Sequence, residues 1–273
     1  MKTLKFVVIC FLVSAYSFAN ISPSEKNALI TLYEFTNGEA WNTTWDLNSP
    51  INTWHGVTIE DNKIIEIDLQ FNNLKGTLPK EIGDLVNLRK LNLGFNKLTG
   101  EIPRDLKRLK NLKELALFMN RFEGNIPPEL GALKKLESLK LYSNKLEGTI
   151  PTSIMGLVEL KELLLGSNFL IGQIPSEICG LHKLQKLSVM DNKMDGEIPN
   201  EIAQLKDLEE LLLSTNQFTG NLPTELMRLI KLHTIMVSDN NLNQEHISVS
   251  GKHLEKKMWL NQNSTAVIDI EKE

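Results

Sequence analysis

Asparagine recurs at Asn72, Asn96, Asn120, Asn144, Asn168, Asn192, Asn216 and Asn240, at an unbroken spacing of 24. Self-similarity at a fixed period of about 20–50 residues marks a chain built from stacked coils, and it constrains the fold more than any local propensity. Aligning on the asparagines brings the other positions into phase. Leu88, Leu91, Leu93, Asn96, Leu98, Gly100, Ile102 and Pro103 form one copy, and the next runs from Leu112 to Pro127 on the same template. The pattern is L-x-x-L-x-L-x-x-N-x-L-x-G-x-I-P, with copies starting at Ile64, Leu88, Leu112, Leu136, Leu160, Leu184, Leu208 and Leu232. Its central L-x-L alternates as a strand does, which places Leu91 and Leu93 inward and Asn92 outward. One strand per coil stacks into a parallel sheet at about 4.8 Å per step. The turn after the strand leaves peptide groups facing an apolar interior. An asparagine side chain, donor and acceptor together, can bond those groups in its own and the adjacent coil.

Gly76, Gly100, Gly124, Gly148, Gly172, Gly196 and Gly220 suit a tight backbone bend. The prolines three residues later fix φ and start a short helical piece. Glu81, Asp105, Glu129, Glu177, Glu201 and Glu225 then fall where an acid favours a helix N-terminus. The template resembles the leucine-rich repeat, and its G-x-[IL]-P segment is similar to the plant-type subfamily, over about residues 64–242. The resemblance implies an α/β, right-handed solenoid with a concave parallel sheet and short helices or 3₁₀ turns on the convex side. It extends to polygalacturonase-inhibitor-like proteins and receptor-like kinase ectodomains. Thr53-Trp54-His55-Gly56-Val57-Thr58 is similar to the W-x-G-V element of the cap that precedes such repeats. That element usually sits between two cysteines, where this chain has Asn52 and Ile59, so tryptophan packing must hold the cap instead.

A solenoid leaves an apolar cross-section at each end and needs caps with a polar outer face. Residues 20–63 suit the first cap. Ser22-Pro23-Ser24-Glu25 is a capping box with proline at the first helical position. Ala28, Leu29, Leu32 and Tyr33 share one helix face, Gly38 is the expected stop, and Trp41, Trp45 and Trp54 follow. The repeats span 64–242, and 243–273 form a C-terminal cap and tail, with Leu254, Met258 and Trp259 in the cap and an extra strand at Ala266–Ile270. Residues 1–19 read as a secretory signal: Lys2 and Lys5, an apolar stretch from Phe6 to Val13, and Ser17-Phe18-Ala19 as the cleavage site. The bulky Ile9 before Cys10 argues against a lipid anchor. No later stretch approaches the length of a transmembrane segment. The expected location is therefore secreted or at the cell surface, and sequons at Asn20, Asn42 and Asn263 all fall in the caps.

Composition limits the chemistry. Hydrophobic content is 41% while aromatics are 6%, so the interior must be aliphatic. Removing the signal takes away Lys2 and Lys5 and no acid, so the formal charge falls from −4 to −6. A net negative chain without a Lys/Arg cluster argues against nucleic acid as partner. Cys179 is the one cysteine of the mature chain and cannot form an internal disulfide. It falls at a small convex-side position and reads as an inert thiol. No metalloprotease, C-x-x-C, nucleophile-elbow or phosphate-loop motif is present. His55, His182, His233, His246 and His253 fall at unrelated phases of the repeat and do not converge. The expectation is a chain that is not an enzyme and needs no metal or cofactor.

What varies is informative, because the concave sheet of a solenoid is its usual binding surface. The residues one before each asparagine are Phe71, Phe95, Met119, Ser143, Ser167, Asp191, Thr215 and Asp239. Those two before are Gln70, Gly94, Phe118, Tyr142, Gly166, Met190, Ser214 and Ser238. The outward residues of L-x-L are Asp68, Asn92, Ala116, Lys140, Leu164, Ser188, Leu212 and Met236. Phe71, Phe95, Phe118, Met119 and Tyr142 are expected side by side as an exposed apolar patch, with Lys140, Leu164 and Met190 continuing the binding face. The bland alternative is that Phe71 and Phe95 fill the strand-to-turn corner. A further row, Glu66, Lys90, Glu114, Ser138, Glu162, Lys186, Glu210 and Thr234, is expected to pair laterally as a structural ladder. The expected function is a monomeric exported protein that binds an extracellular or cell-surface protein, such as a secreted enzyme or receptor. A cell-wall glycan or an ice surface is the alternative ligand.

Overall fold

The computed structural model describes residues 21–243 and, beyond them, three short strands, Ile247–Val249, Lys256–Met258 and Ala266–Val267. The expected signal segment, Asn20, Asn263 and most of the expected C-terminal cap lie outside the described residues. The repeats form eight coils, numbered here by their asparagines from Asn72 to Asn240. Each contributes one parallel strand to the concave sheet: Lys63–Asp68, Lys90–Asn92, Glu114–Ala116, Ser138–Lys140, Glu162–Leu164, Lys186–Ser188, Glu210–Leu212 and Thr234–Met236. The register advances by one coil per strand without slip, so Glu66 lies beside Lys90 and Lys90 beside Glu114. Antiparallel strands cover both edges of this sheet. Val57–Glu60 turns back onto Lys63–Asp68 through Asp61 and Asn62, both left-handed, the geometry of a tight two-residue hairpin. Ala266–Val267 pairs with Thr234–Met236, and so lies within the strand expected at Ala266–Ile270.

Beyond each of the first six asparagines the chain enters a second parallel sheet, from Lys75–Thr77 to Lys193–Met194. It then bends at a glycine such as Gly100 (φ 76°) and crosses the convex side as a single 3₁₀ turn. Seven such turns run from Lys80–Asp84 to Thr224–Arg228, and among the described residues only Pro23–Phe35 is an α-helix. The prolines differ from expectation in one respect. Pro79, Pro103 and their counterparts stand just before the turns in extended or near-extended backbone, so they end the preceding segment and are not the first helical residue.

Between the layers lies an aliphatic core of leucine and isoleucine side chains, joined by the fully buried Phe122 and Phe218. Each such side chain contributes roughly 1.5–3 kcal/mol gross, most of it offset by chain entropy. The asparagines do what their chemistry allows. Asn96 Nδ2 donates to Leu93 O (2.9 Å) and Gly94 O (3.1 Å) in its own coil and to Leu69 O (2.8 Å) in the preceding one. Its Oδ1 accepts from the Asn72 and Leu74 N–H groups, and the same pattern recurs down the stack to Asn240.

Asn72 has no coil before it and bonds the cap instead, through the N–H (2.6 Å) and carbonyl (3.1 Å) of Thr43. Tyr33, Trp41, Trp45 and Trp54 pack ring against ring with centroids 4.8–6.2 Å apart. Each of these three indole N–H groups finds a carbonyl: Trp41 to Thr36, Trp45 to His55, Trp54 to Asp46. Ser22 accepts from Glu25 N–H as a capping box requires, and the buried Glu25 carboxylate reaches on to the Ile64 N–H and Asn87. The helix stops earlier than expected: Asn37, not Gly38, is the left-handed residue. Gly38 is needed for space, since a Cβ there would lie 2.1 Å from the Tyr33 ring.

Candidate functional site

The strand-to-turn corner of the concave face carries one backbone demand in every coil. The residue before each asparagine is left-handed: Phe71 at φ 58°, Phe95 at 52°, Met119 at 50°, then Ser143, Ser167, Asp191, Thr215 and Asp239 between 53° and 59°. Asn and Asp tolerate this region, whereas bulky side chains there are outliers. Coils 4 to 8 meet the demand with small or polar residues. Coils 1 to 3 place two phenylalanines and a methionine in it.

These side chains are not corner filler throughout. Phe71 is 58% exposed and Met119 39%, while Phe95 is half-buried. Phe71 and Phe95 stack with centroids 4.0 Å apart, Phe95 meets Phe118 edge-on at 5.4 Å, and Phe118 stacks on Tyr142 at 4.7 Å. Four coils thus share a continuous aromatic stripe. Phe118 corrects the expectation of an exposed ring, being only 7% exposed. Its ring closes over Gly94 of the preceding coil, where a Cβ would lie 2.6 Å from the ring atoms. Phe118 therefore supports the stripe from below, and the half-buried Tyr142 continues it.

Beside the stripe the charged residues pair laterally in part, as expected, and also diagonally across two outward rows. Lys186 lies 2.9 Å from its lateral neighbour Glu210, whereas Lys90 Nζ lies 2.9 Å from Asp68 in the other row rather than on Glu66. Lys140 sits between Glu114 (3.5 Å) and Glu162 (3.2 Å), and the Ser138 hydroxyl donates to Glu162 (2.8 Å). Diagonal neighbours on one sheet face are within reach of long side chains, so the coil alignment contained this pairing once both outward rows were read together. Burial alone would raise the Asp68 carboxyl. Bonds from Lys90, Asn92 and the Gln70 N–H outweigh it and hold Asp68 below the usual carboxylate range. Lys90 is raised in turn, first by its bond to Asp68. Burial likewise opposes, and Ser138 and Lys140 outweigh it, in lowering Glu162. Burial raises the Tyr142 phenol, against the opposing charge of Lys140.

Leu164 and Met190 lie half-buried on the C-terminal side of Tyr142 and border a shallow cavity. Asp191 and Asp239, read from sequence only as members of a variable row, are exposed and form no ion pair among the described residues. The arrangement can bury apolar groups against a fixed stripe and meet cations at its C-terminal end. Among the described residues no three His, Cys, Asp or Glu side chains are grouped to hold a metal ion. His55, His182 and His233 are apart and exposed or nearly so, Cys179 is half-buried, and His246 and His253 lie outside the described residues. No helix among the described residues is long and apolar enough to cross a membrane.

The leucine-rich repeat profile matches residues 63–85, 87–109, 111–133, 135–157, 159–181 and 207–229. No curated protein matches the chain significantly. Among solved structures the chain is similar to the ectodomain of the plant membrane receptor kinase GASSHO1/SCHENGEN3 from Arabidopsis thaliana, solved with CASPARIAN STRIP INTEGRITY FACTOR 2. That likeness has a TM-score of 0.69 and 29% identity over 80% of this chain and 30% of the ectodomain. It is also similar to the plant peptide hormone receptor RGFR1 in complex with RGF2, with a TM-score of 0.63 and 37% identity over 64% of this chain and 28% of the receptor. A plant ice-binding protein shares the fold, with a TM-score of 0.55 and 24% identity over 81% of this chain and 88% of that one. The chain spans less than a third of the length of either receptor.

Proposed function

The chain belongs to the leucine-rich repeat family, and on that premise we propose that it is an exported, non-catalytic protein that binds a protein partner through its concave face. The residues that carry the binding are Phe71, Phe95, Met119 and Tyr142, with Phe118 as their support. One observation carries the reading. Phe71, Phe95 and Met119 occupy a left-handed backbone position that five other coils fill with Ser, Asp or Thr. Any side chain costs on the order of 1–2 kcal/mol there relative to glycine, and in Phe71 and Met119 that backbone also holds a large apolar group out toward solvent. Strain kept where stability does not require it points to use in recognition. Receptors of similar fold that engage a peptide hormone support a protein or peptide ligand. A glycan or ice lattice is less well served, because the outward rows are chemically mixed where a repeating ligand asks for one residue type.

The double variant Phe71→Asn/Met119→Asn tests this, since Asn is at home in left-handed backbone. It should keep or slightly raise its melting temperature and lose the partner that wild type recovers from the extracellular fraction of its source cells. Undiminished recovery by the variant would sink the reading.

A further inference from the structure

Gly94 and Gly166 hold the same place in their coils, two before the asparagine, and meet different neighbours. The space over Gly94 is filled by the Phe118 ring of the next coil. Over Gly166 the next coil supplies Met190, whose Cγ and carbonyl would lie 3.1 Å from a Cβ there, and Ser188, at 3.3 Å, so a slim side chain and a hydroxyl stand where coil 3 has a ring. Ser188 is itself a step down, because the flanking coils carry Leu164 and Leu212 at its position. The short Ser188 leaves a shallow cavity of about 250 Å³ in the concave face, walled by Tyr142, Leu164, Met190 and Leu212 and edged by the charged Glu162, Lys186 and Glu210. This is below the roughly 300–1,000 Å³ of small-molecule sites and suits one or two apolar side chains.

The charges around the cavity are one-sided. Lys140 is taken by Glu114 and Glu162, and Lys186 by Glu210. Asp191, directly after Met190, and Asp239 two coils on have no cation partner among the described residues. We propose that this cavity is the anchor site for an extended segment of the protein partner, one that presents a Phe- or Leu-sized side chain flanked by Lys or Arg. The side chain lies over Ser188 in the groove between Tyr142, Leu164, Met190 and Leu212, and the flanking cation meets Asp191. This rests on the concave-face reading above and narrows it to a basic, apolar-anchored peptide.

A displayed library of random nine-residue peptides selected on the full chain provides the test. Enriched sequences should carry an apolar residue flanked by Lys or Arg. They should bind Ser188→Leu at least about tenfold more weakly, a variant whose new side chain is already housed at the same position in coils 5 and 7. Asp191→Asn should blunt the salt dependence of binding, as removal of a rim charge does. Enriched peptides without that pattern, no enrichment at all, or equal binding to Ser188→Leu would overturn the anchor site. Peptides indifferent to Ser188→Leu but lost on Phe71→Asn/Met119→Asn would overturn the anchor alone and leave the concave-face reading standing. Indifference to both variants would overturn both.

Discussion

Asp68 and Lys90 illustrate how single side chains on this face are tuned by neighbours from other coils. Asp68 is held below the ordinary carboxylate value of about 3.9. Its contribution to stability is therefore present above that value and lost as pH falls through the lowered one. Lys90 is raised above about 10.4, so its contribution is present below that value and lost as pH rises through the raised one. Stability from this pair should be flat through neutral pH and fall at both extremes. Between about pH 5 and about pH 2 the melting temperature of wild type should drop more than that of Asp68→Asn, and equal slopes would contradict the assignment. Residue identity was fully visible in the sequence here, and so was the variability of the row before each asparagine. Its left-handed backbone was not, because φ is set by the turn that the whole coil imposes. The burial of Phe118 was hidden for a related reason, since it depends on Gly94, its lateral neighbour in the preceding coil, leaving room for the ring to fold over it.

At the scale of one coil, the bonds of the asparagine decide how damage spreads. Asn144 donates to Leu141 O in its own coil and Leu117 O in the preceding one, each at 3.0 Å, and accepts from Phe122 N–H at 3.0 Å. Asn144→Ala strands buried groups in two coils at a cost of about 1–3 kcal/mol for each. Amide exchange should accelerate around Leu117–Phe122 as well as around Leu141, and acceleration confined to coil 4 would count against this account. The period alone announced the strand, the bend and the asparagine bonds, because each is a response to one repeated local need. With the resemblance it offered short helices or 3₁₀ turns for the convex crossing, of which the 3₁₀ turn is the one adopted, and it did not reveal that the repeated proline stands just before the turn.

Across the whole molecule the coils depend on their ends. Three of the four tryptophans lie in the first cap, stacked over the open end of coil 1, and no disulfide reinforces them. Trp45 is 3% exposed and packs against Tyr33, Trp41 and Trp54. Trp45→Ala should cost about 3–5 kcal/mol locally. In a solenoid, where each coil rests mainly on its neighbours, that loss should loosen the first coils before the rest. In urea, tryptophan emission of the variant should shift at a lower concentration than the far-ultraviolet circular dichroism, whereas coincident transitions would show the stack behaving as one unit. The hand-over from Asn72 to Thr43 has a consequence for the length of the protein. Coils 2 to 8 offer one another the same set of bonds, and only the first needs a special partner. A 24-residue unit can therefore be added or removed at any interior joint without disturbing either end. Duplicating residues 160–207 would repeat the Ser188 gap, giving a ruler with two notches in place of one.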